Sequence, residues 1–281
     1  MVEVLKAGLY DTIQDLGRLG FQEFGVPISG VMDRYSATLA NSILGNPSGV
    51  AVLESVVVGP HLKFGHETAI CLSGADMSAK LNDLEIKTNA VYRVHKGDTL
   101  KFGTCNYGCR SYLAVLGGFQ TETQMGSRSM YKGVTASYKL NKDDVLPISK
   151  ISNYAGNSLS SVKIDKNHFE VCELEVFKGP EFEKLEVIEQ QKLYNTRFSV
   201  SAASNRMAYQ FDETLDNSLK DIITSLVLPG SVQLTPSGKL IILMRDCQTT
   251  GGYPRVLQLS EKSINGLAQQ FISSKITFKH I

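Results

Sequence analysis

Short apolar runs, broken at regular intervals by turn residues, constrain this chain more than any other feature. Ala69-Ile-Cys-Leu precedes Ser73-Gly74, and Ser111-Tyr-Leu-Ala-Val precedes Gly117-Gly118. Runs of this length are typical of the strands of sandwiches and barrels. The 24 glycines among the 281 residues agree with many tight turns. We therefore predict a mainly β protein with a few helices.

One helix has clear start and stop signals. Asp33 is suited to the N-cap, Gly45 to the C-terminal cap, and Pro47 follows the glycine. Apolar residues between these caps recur at helical spacing: Tyr35, Leu39, Ala40, Ile43 and Leu44. We predict two further helices near Glu181–Leu193 and Glu261–Phe271.

A weak internal repeat indicates two related β-rich domains. Four pairs of segments match in order at nearly constant offset: Val2-Glu-Val-Leu-Lys with Leu174-Glu-Val-Phe-Lys, Leu62-Lys-Phe with Val232-Gln-Leu, Ile70-Cys-Leu with Leu240-Ile-Ile, and Thr99-Leu-Lys-Phe with Lys275-Ile-Thr-Phe. The alternative is that both halves merely use common strand chemistry, which would give the same matches. The polar stretch Asn153–Ser161 is the natural linker. We predict one domain over 1–160 and a second over 161–281.

Charge, apolar run length and cysteine content argue against several classes of protein. Lys and Arg total 29 against 28 for Asp and Glu, so no basic face for nucleic acid is expected. No apolar run reaches the roughly 18–20 residues that span a bilayer, and the first residues lack a secretory signal. We expect a cytoplasmic protein without a membrane partner, whose five cysteines are free thiols. Cys105 and Cys109 lack a second ligand pair, so we predict no metal site.

Asp11–Gly20 is the first of four segments with more polar groups than a strand needs. Gln14, Asp15 and Arg18 lie within it, and the planar Arg18 guanidinium suits a carboxylate or phosphate. The alternative is a solvated loop with an Asp15–Arg18 ion pair, which would contribute little to stability.

Two further loops offer groups for an anion. Ser29 lies within Gly25–Asp33, just before the first predicted helix, where backbone N–H groups favour negative charge. The alternative is that Asp33 simply caps this helix. The loop Gly126-Ser-Arg-Ser129 offers hydroxyls and the Arg128 guanidinium, although an ordinary turn has the same composition.

The fourth segment, Asp246–Pro254, follows the apolar strand Leu240–Met244. Asp246 is placed to act as a base or to orient a nucleophile. The next side chains, Gln248, Thr249 and Thr250, can hydrogen-bond a small amide or carboxylate substrate. A plain hairpin turn is the alternative, but it rarely places so many hydrogen-bonding side chains in a row.

These segments resemble the biotin-dependent carboxyltransferase-like family. That family includes the C subunit of 5-oxoprolinase, the allophanate hydrolase subunit 2 type, the Kip-type antagonists of a kinase inhibitor and the carboxyltransferase region of urea carboxylase. The resemblance runs from Val2 to Phe278 and is carried by five motifs: Gly8-Leu-Tyr-Asp-Thr-Ile-Gln-Asp-Leu-Gly-Arg-Leu-Gly, Gly25-Val-Pro-Ile-Ser-Gly-Val-Met-Asp, Leu72-Ser-Gly-Ala-Asp, Gly126-Ser-Arg-Ser and Gln248-Thr-Thr-Gly-Gly-Tyr-Pro.

The resemblance implies two cyclophilin-like β-barrel domains and a heteromeric enzyme. The implied activity is that of the C subunit of an ATP-dependent 5-oxoprolinase, which hydrolyses 5-oxo-L-proline to L-glutamate. It implies a homologue of the B subunit, in a heterodimer or heterotetramer, an A subunit, ATP in the complex, and no activity of this chain alone. One alternative is a Kip-type regulatory protein that sequesters a kinase-inhibitor partner. Another is a carboxyltransferase subunit that acts on urea or a similar amide, which needs a biotinylated partner.

Under this resemblance we assign catalysis to Asp246, Arg18 and Asp15. Substrate binding is assigned to residues of the same segments and to the arginine of Ser204-Asn-Arg-Met-Ala208: Gln14, Ser29, Met32, Asp33, Arg128, Arg206, Gln248, Thr249, Thr250, Gly251, Gly252 and Tyr253. The chain departs from the family at Asn205, which replaces an acid, at Ala208, which replaces a glycine, and at Cys247, where arginine or histidine is common. These departures argue against a charge-dependent role at Asn205 or Cys247.

Overall fold

The structure, a computed structural model, describes residues 1–150, 162 and 166–281. This part of the chain is mainly β, with three α-helices. It divides into two compact units, here called unit 1 (Met1–Arg18 and Ser29–Phe169) and unit 2 (Leu19–Ile28 and Glu170–Ile281). The predicted linker Asn153–Ser161, with the domain boundary after residue 160, lies outside the described residues.

The described residues of unit 1 contain one α-helix, α1 (Arg34–Leu44), and a 3-10 turn at Lys166–His168. Its strands are short and mostly antiparallel: β1 (Val2–Lys6), β2 (Asp11–Gln14), β3 (Val52–Val56), β4 (His61–Phe64), β5 (Thr68–Asp76), β6 (Lys80–Leu81), β7 (Leu84–Glu85), β8 (Val91–Val94), β9 (Thr99–Lys101), β10 (Tyr107–Val115) and β11 (Val145–Leu146). They form a six-stranded sheet in the order β11-β1-β4-β9-β6-β7 and a five-stranded sheet in the order β2-β3-β10-β5-β8.

The five-stranded sheet is buried on both faces, and side-chain alternation decides which core each residue joins. On β10, Leu113 and Val115 pack into the core that the two sheets enclose. Tyr112 and Ala114 point to the opposite face, where Ala37 packs from α1. Because successive side chains of a strand point to opposite faces, one apolar run serves both layers. This explains why the strand runs are almost continuously apolar in sequence.

The structure confirms the start and stop signals that the sequence predicts for helix α1. The Asp33 side chain accepts from the backbone N–H of Ser36 at 3.1 Å, and Gly45 takes the left-handed conformation with φ 75°. The buried face of the helix includes the small residues Ala37 and Ala40, which allow the helix to lie close to the sheet.

Unit 2 carries helices α2 (Val187–Asn195) and α3 (Glu261–Leu267) and 3-10 turns at Gln22–Phe24 and Phe182–Lys184. Its strands are β12 (Glu173–Lys178), β13 (Phe198–Ser199), β14 (Ala208–Thr214), β15 (Ser225–Leu226), β16 (Ser231–Leu234), β17 (Lys239–Leu243), β18 (Thr250–Gly251), β19 (Arg255–Leu259) and β20 (Lys275–His280). Seven of them form one sheet in the order β13-β20-β12-β19-β16-β17-β14, and β15 pairs with β18.

The seven-stranded sheet curls into a nearly closed barrel. A bridge between Val200, just after β13, and Phe211, on β14, joins the two ends of the strand order. Phe198 contacts both Phe211 and Phe278, with ring centroids 5.5 and 5.6 Å apart. Closure removes exposed strand edges, and the three buried rings fill the space that closure creates.

The other two predicted helices are present with different limits. The segment 181–193 splits into a 3-10 turn and the start of α2, because Leu185 is extended. Glu186 is the N-cap of α2 and exchanges backbone and side-chain hydrogen bonds with Glu189. The third helix ends at Leu267, four residues before the predicted Phe271. All eight segments of the internal repeat lie on strands, but β1 pairs with β4 and β11 whereas β12 pairs with β19 and β20.

Candidate functional site

In unit 1, the Asp15 carboxylate joins two of the predicted segments. Its Oδ1 accepts from the hydroxyls of Ser127 (2.6 Å) and Ser129 (2.7 Å) and from the N–H of Gly17 (2.8 Å). Its Oδ2 accepts from the N–H of Arg128 at 2.6 Å. A carboxylate offers about four acceptor sites, so these four donors account for its capacity. The geometry gives Asp15 a positioning role, and its catalytic assignment stays a prediction.

Gln14 and Arg18 flank Asp15 and bind the same loop. Arg18 is 1% exposed and its Nη2 donates to the carbonyl of Ser129. Gln14 is fully buried, and its Nε2 donates to the carbonyl of Met130 at 3.1 Å. The alternative of a solvated loop is therefore wrong for these two side chains.

The loop before α1 is held in an unusual backbone conformation. Ser29 has φ 57° and is completely buried, and Gly30 has φ 94°. A Cβ at Gly30 would lie 2.9 Å from the backbone nitrogen of Gly17. Only glycine fits this close approach, so residue 30 fixes where the loop passes the 15–18 segment.

The N–H groups of residues 31–33 are engaged inside unit 1. They donate in turn to the carbonyl of Asp15 (2.9 Å), Glu54 Oε2 (2.7 Å) and the hydroxyl of Tyr112 (2.8 Å). Burial, and then the charges of Glu54 and Asp33, raise the pKa of Tyr112 well above its ordinary value. Tyr112 therefore stays a neutral donor and acceptor. The protein's own groups occupy the donors that were candidates for a bound anion.

Asp33 combines two roles at the start of α1. Its Oδ1 accepts from Ser36 N, and its Oδ2 accepts from the Ser36 hydroxyl at 2.6 Å and lies 2.7 Å from His168 Nε2. The His168 ring packs against Tyr35 and Phe169, with centroids 4.8 and 5.1 Å apart. The alternative that Asp33 caps the helix is confirmed, and its substrate-binding assignment stays a prediction.

Arg128 and Met32 occupy different surroundings. The Arg128 guanidinium donates to Gln120 Oε1 at 3.0 Å and lines a cavity of about 210 Å³ in unit 1. Met32 is completely buried, and its backbone N–H is the group that Glu54 binds.

In unit 2, the structure brings together Arg206 and Asp246. Arg206 Nε donates to Asp246 Oδ2 at 2.8 Å, and Nη2 donates to Oδ1 at 3.1 Å. The backbone N–H of Asp246 donates to the carbonyl of Arg206 at 3.0 Å. Both side chains are at least nine-tenths buried. A buried bidentate pair of this kind holds both groups in one orientation.

The turn around Asn205 explains why the chain tolerates the loss of an acid there. Asn205 Oδ1 accepts from the N–H groups of Met207 (2.8 Å) and Ala208 (3.3 Å). An aspartate oxygen makes the same bonds, so this turn needs an acceptor and not a charge.

The polar run after Asp246 forms the strand β18 and its flanks. Thr250 and Gly251 pair with Leu226 and Ser225 of β15. A Cβ at Gly251 would lie 2.4 Å from Gln233 Nε2, so a larger residue here would displace the Gln233 amide. Side chains of this run are largely accessible, with Gln248, Thr250 and Tyr253 exposed and Thr249 and Gly252 half-buried.

A cavity of about 240 Å³ lies within unit 2 beside this run. Residues 226–229, with Pro27 and Ile28, form its apolar wall. Gln22, Arg245, Cys247 and residues 248–249 form the rest. Burial, reinforced by the Asp246 charge, raises the pKa of Cys247 to about 12, so its thiol stays neutral.

Seven of the predicted site residues lie in unit 1 and eight in unit 2. The sequence did not single out Glu54, Tyr112 and His168 around the 29–33 loop, or Arg245 in the cavity. Two signals point to such residues: the charged Glu54 within an apolar strand, and the basic Arg245 beside an acid at a strand end.

Across the described ranges, no group of three histidine, cysteine or acidic residues is placed to hold a metal ion. All five cysteines are free thiols. No helix in the part of the chain that the structure describes is long and apolar enough to cross a membrane.

Comparison with known proteins decides the family. Residues 24–280 match the carboxyltransferase domain family, subdomains A and B. The chain belongs to this family. The resemblance inferred from the five motifs is confirmed, and so is the fold class of two cyclophilin-like β-barrel domains.

Two curated relatives match this carboxyltransferase-family chain over nearly its whole length. The C subunit of Escherichia coli 5-oxoprolinase is 31% identical over 99% of this chain and 90% of its own length. The C subunit of Haemophilus influenzae 5-oxoprolinase is 28% identical over 100% of this chain and 91% of its own length.

The solved structure of Kluyveromyces lactis urea amidolyase superposes with a TM-score of 0.90 at 27% identity. The match covers 100% of this chain but only 18% of that much longer chain.

Proposed function

We propose that this chain is the C subunit of an ATP-dependent 5-oxoprolinase, which hydrolyses 5-oxo-L-proline to L-glutamate together with its A and B partners. The observation that carries the proposal is the end-to-end match to two proteins named as 5-oxoprolinase C subunits. Matches to the named urea amidolyases cover only a small part of those chains.

The chemistry requires opening of an unreactive ring amide. The bond between the carbonyl carbon and the ring nitrogen breaks, water supplies the hydroxyl to the carbon, and a proton goes to the nitrogen. Hydrolysis of ATP supplies the driving force. ATP's phosphates do not fit the start of α1, because the N–H groups of residues 31–33 are engaged internally. We therefore assign ATP to the assembled complex and no phosphate to this loop.

This chain's contribution is binding and polarisation of the substrate. The Arg206–Asp246 pair holds an acid at the edge of the polar run 248–253, where amide and hydroxyl groups are accessible. Arg18 lies in unit 1 and keeps its own assignment to catalysis, with its guanidinium held by the Ser129 carbonyl. Positioned donors stabilise charge that develops on a carbonyl oxygen. We propose a cytoplasmic heterodimer or heterotetramer with the B partner, active only when the A partner is present too.

The test is release of glutamate from 5-oxo-L-proline by this chain with its A and B partners, with and without ATP. Asp246→Asn and Arg18→Ala are the site variants, and Lys63→Ala, an exposed position on β4, is the matched control. ATP-dependent release that both site variants reduce supports the proposal. Tight binding of the B partner without release would instead favour a Kip-type regulatory protein.

A second candidate is a carboxyltransferase subunit that acts on urea or a similar amide. A region of Lachancea kluyveri urea amidolyase is 43% identical over 46% of this chain. This identity favours the carboxyltransferase function for that part of the chain. That activity needs biotin on a partner, so a streptavidin blot of co-purified proteins tests it. A biotinylated partner would favour this function over lactam hydrolysis.

A further inference from the structure

The cavity of unit 2 has the composition of a site for a small ligand. Its wall is apolar along 226–229 and at Pro27 and Ile28, and a few polar side chains complete it: Gln22, Arg245, Gln248 and Thr249. Ligand sites are typically apolar concavities with a few fixed polar groups. At about 240 Å³, the cavity is smaller than the roughly 300–1,000 Å³ that drug-sized ligands occupy. It suits a ligand of few atoms.

Arg245 is the polar anchor of this cavity. Its side chain is 2% exposed, and its terminal nitrogens are already engaged. Nη2 donates to Glu261 Oε1 (2.5 Å) and to Asn265 Oδ1 (3.2 Å), and Nη1 donates to Glu261 Oε2 (3.2 Å). The remaining donor, Nε, is buried without an acceptor among the described residues. A buried donor without a partner is costly, so it favours an acceptor brought by a ligand.

The charge balance of the cavity selects against an anionic group. The Arg245 charge is compensated by the bidentate Glu261 carboxylate. Cys247, the other titratable group of the lining, stays neutral because its pKa is about 12. Asp246, next in the chain, is paired with Arg206. A neutral carbonyl oxygen therefore suits Arg245 Nε better than a carboxylate does.

We propose that this cavity binds the neutral ring of a γ-lactam, with the lactam oxygen accepting from Arg245 Nε and the ring methylenes against residues 226–229. Arg245 is then a specificity-determining residue for cyclic amides. The inference rests on the proposed function, because 5-oxo-L-proline is such a lactam. Its carboxylate would lie outside the cavity, towards the accessible amide and hydroxyls of residues 248–250.

The experiment is a titration of the full-length chain, labelled at Ile, Leu and Val methyl groups, followed by NMR. The probes are 2-pyrrolidinone, 5-oxo-L-proline and L-proline, which has the ring without the lactam carbonyl. We expect both lactams to shift the methyl resonances of Ile28, Val227 and Leu228. We expect Val4 and Leu62 of unit 1 to stay unchanged, and L-proline to shift none of them.

Variants at two positions sharpen the test. Arg245→Lys keeps a positive charge for Glu261 but removes the Nε donor, so lactam binding should weaken about tenfold or more. Cys247→Phe fills the cavity and should abolish the shifts, whereas the matched control Cys247→Ser leaves its volume nearly unchanged and should retain them.

Two results would overturn the inference: saturating 2-pyrrolidinone that leaves the cavity methyls of the wild-type chain unshifted, or Arg245→Lys binding it as tightly as wild type. The first measurement needs no variant, so it stands even where a substitution at a buried site fails to fold. Glutamate release by the complex, with no lactam binding in this cavity, overturns the inference and leaves the proposed function intact. Lactam binding with no release by the complete complex rejects the proposed function alone.

Discussion

Arg206 and Asp246 form one ion pair on which stability and the proposed function both depend. Two hydrogen bonds join them, and little water reaches either side chain. Removing water from two charges is costly, and the pair offsets that cost only while both partners remain. Substitution of one partner therefore leaves a buried charge uncompensated.

Asp246→Asn should lower the free energy of unfolding by about 3 kcal/mol, because the Arg206 guanidinium then faces a neutral amide. Urea denaturation of the two proteins measures this. As control, the double variant Arg206→Met with Asp246→Leu should recover most of the lost stability while the complex stays inactive. Equal stability of the single variant and wild type would show that the pair is not desolvated as described.

Asp11 should make stability depend on pH. Burial raises its pKa from 3.8 to about 6, and the Gly8 N–H that it accepts offsets this only in part. The folded protein thus binds more protons than the unfolded chain between about pH 4 and 6, so stability falls as pH rises through that window. The loss attributable to Asp11 is about 3 kcal/mol.

The measurement for Asp11 is the difference in unfolding free energy between wild type and Asp11→Asn at about pH 4 and about pH 7. The asparagine retains an acceptor for Gly8 but does not titrate. The difference should move by about 2 kcal/mol in favour of the variant at the higher pH, because the unfolded carboxyl is already partly ionised at about pH 4. A difference that is the same at both pH values would contradict a buried Asp11 carboxyl with a raised pKa.

The position of a residue was predictable from sequence only where local chemistry decides it. The acidic, amide and hydroxyl character of 246–250 marked a polar strand end, and Asp246 lies there. Its partner, Arg206, is 40 residues away, and the four donors around Asp15 include three from 127–129. Such pairings depend on strand register across the fold, which short motifs do not specify.

At the scale of elements, the loop and helix that follow Gly25 form one structure. The left-handed backbone at residues 29 and 30 turns the chain so that successive N–H groups reach Asp15, Glu54 and Tyr112. Asp33 then caps α1 and binds His168. The helix thus begins where four separate parts of unit 1 meet.

Substitutions at Asp33 should separate its role as helix cap from its contact with His168. Asp33→Asn keeps an acceptor for Ser36 N but loses the charge opposite His168, whereas Asp33→Ala loses both. We expect the alanine variant to be less stable than the asparagine variant by about 1 kcal/mol, the usual contribution of an N-cap. Chemical denaturation measures both. Equal stability of the two variants would show that the cap contributes nothing.

The limits of α1 followed from the sequence because caps act within a few residues. Asp33, Gly45 and Pro47 marked both ends. The split of the second predicted helix was also encoded locally, by Glu186 and Glu189, but apolar spacing alone does not reveal it. The strand order in each sheet was not predictable, because pairing joins segments as distant as β1 and β11.

For the whole molecule, two units with separate cores share one chain, and unit 2 takes in residues 19–28 as well as 170–281. The family match and the match to the 5-oxoprolinase relatives extend across both units. The family membership and the likeness to the 5-oxoprolinase C subunits therefore belong to the entire chain and not to one unit.

The most direct test of this account is glutamate release from 5-oxo-L-proline by the reconstituted chain with its A and B partners. We expect release that requires ATP and all three polypeptides, and that falls at least about tenfold with Asp246→Asn while Lys63→Ala retains it. No release with all three polypeptides and ATP present, or full release when this chain is omitted, would contradict it.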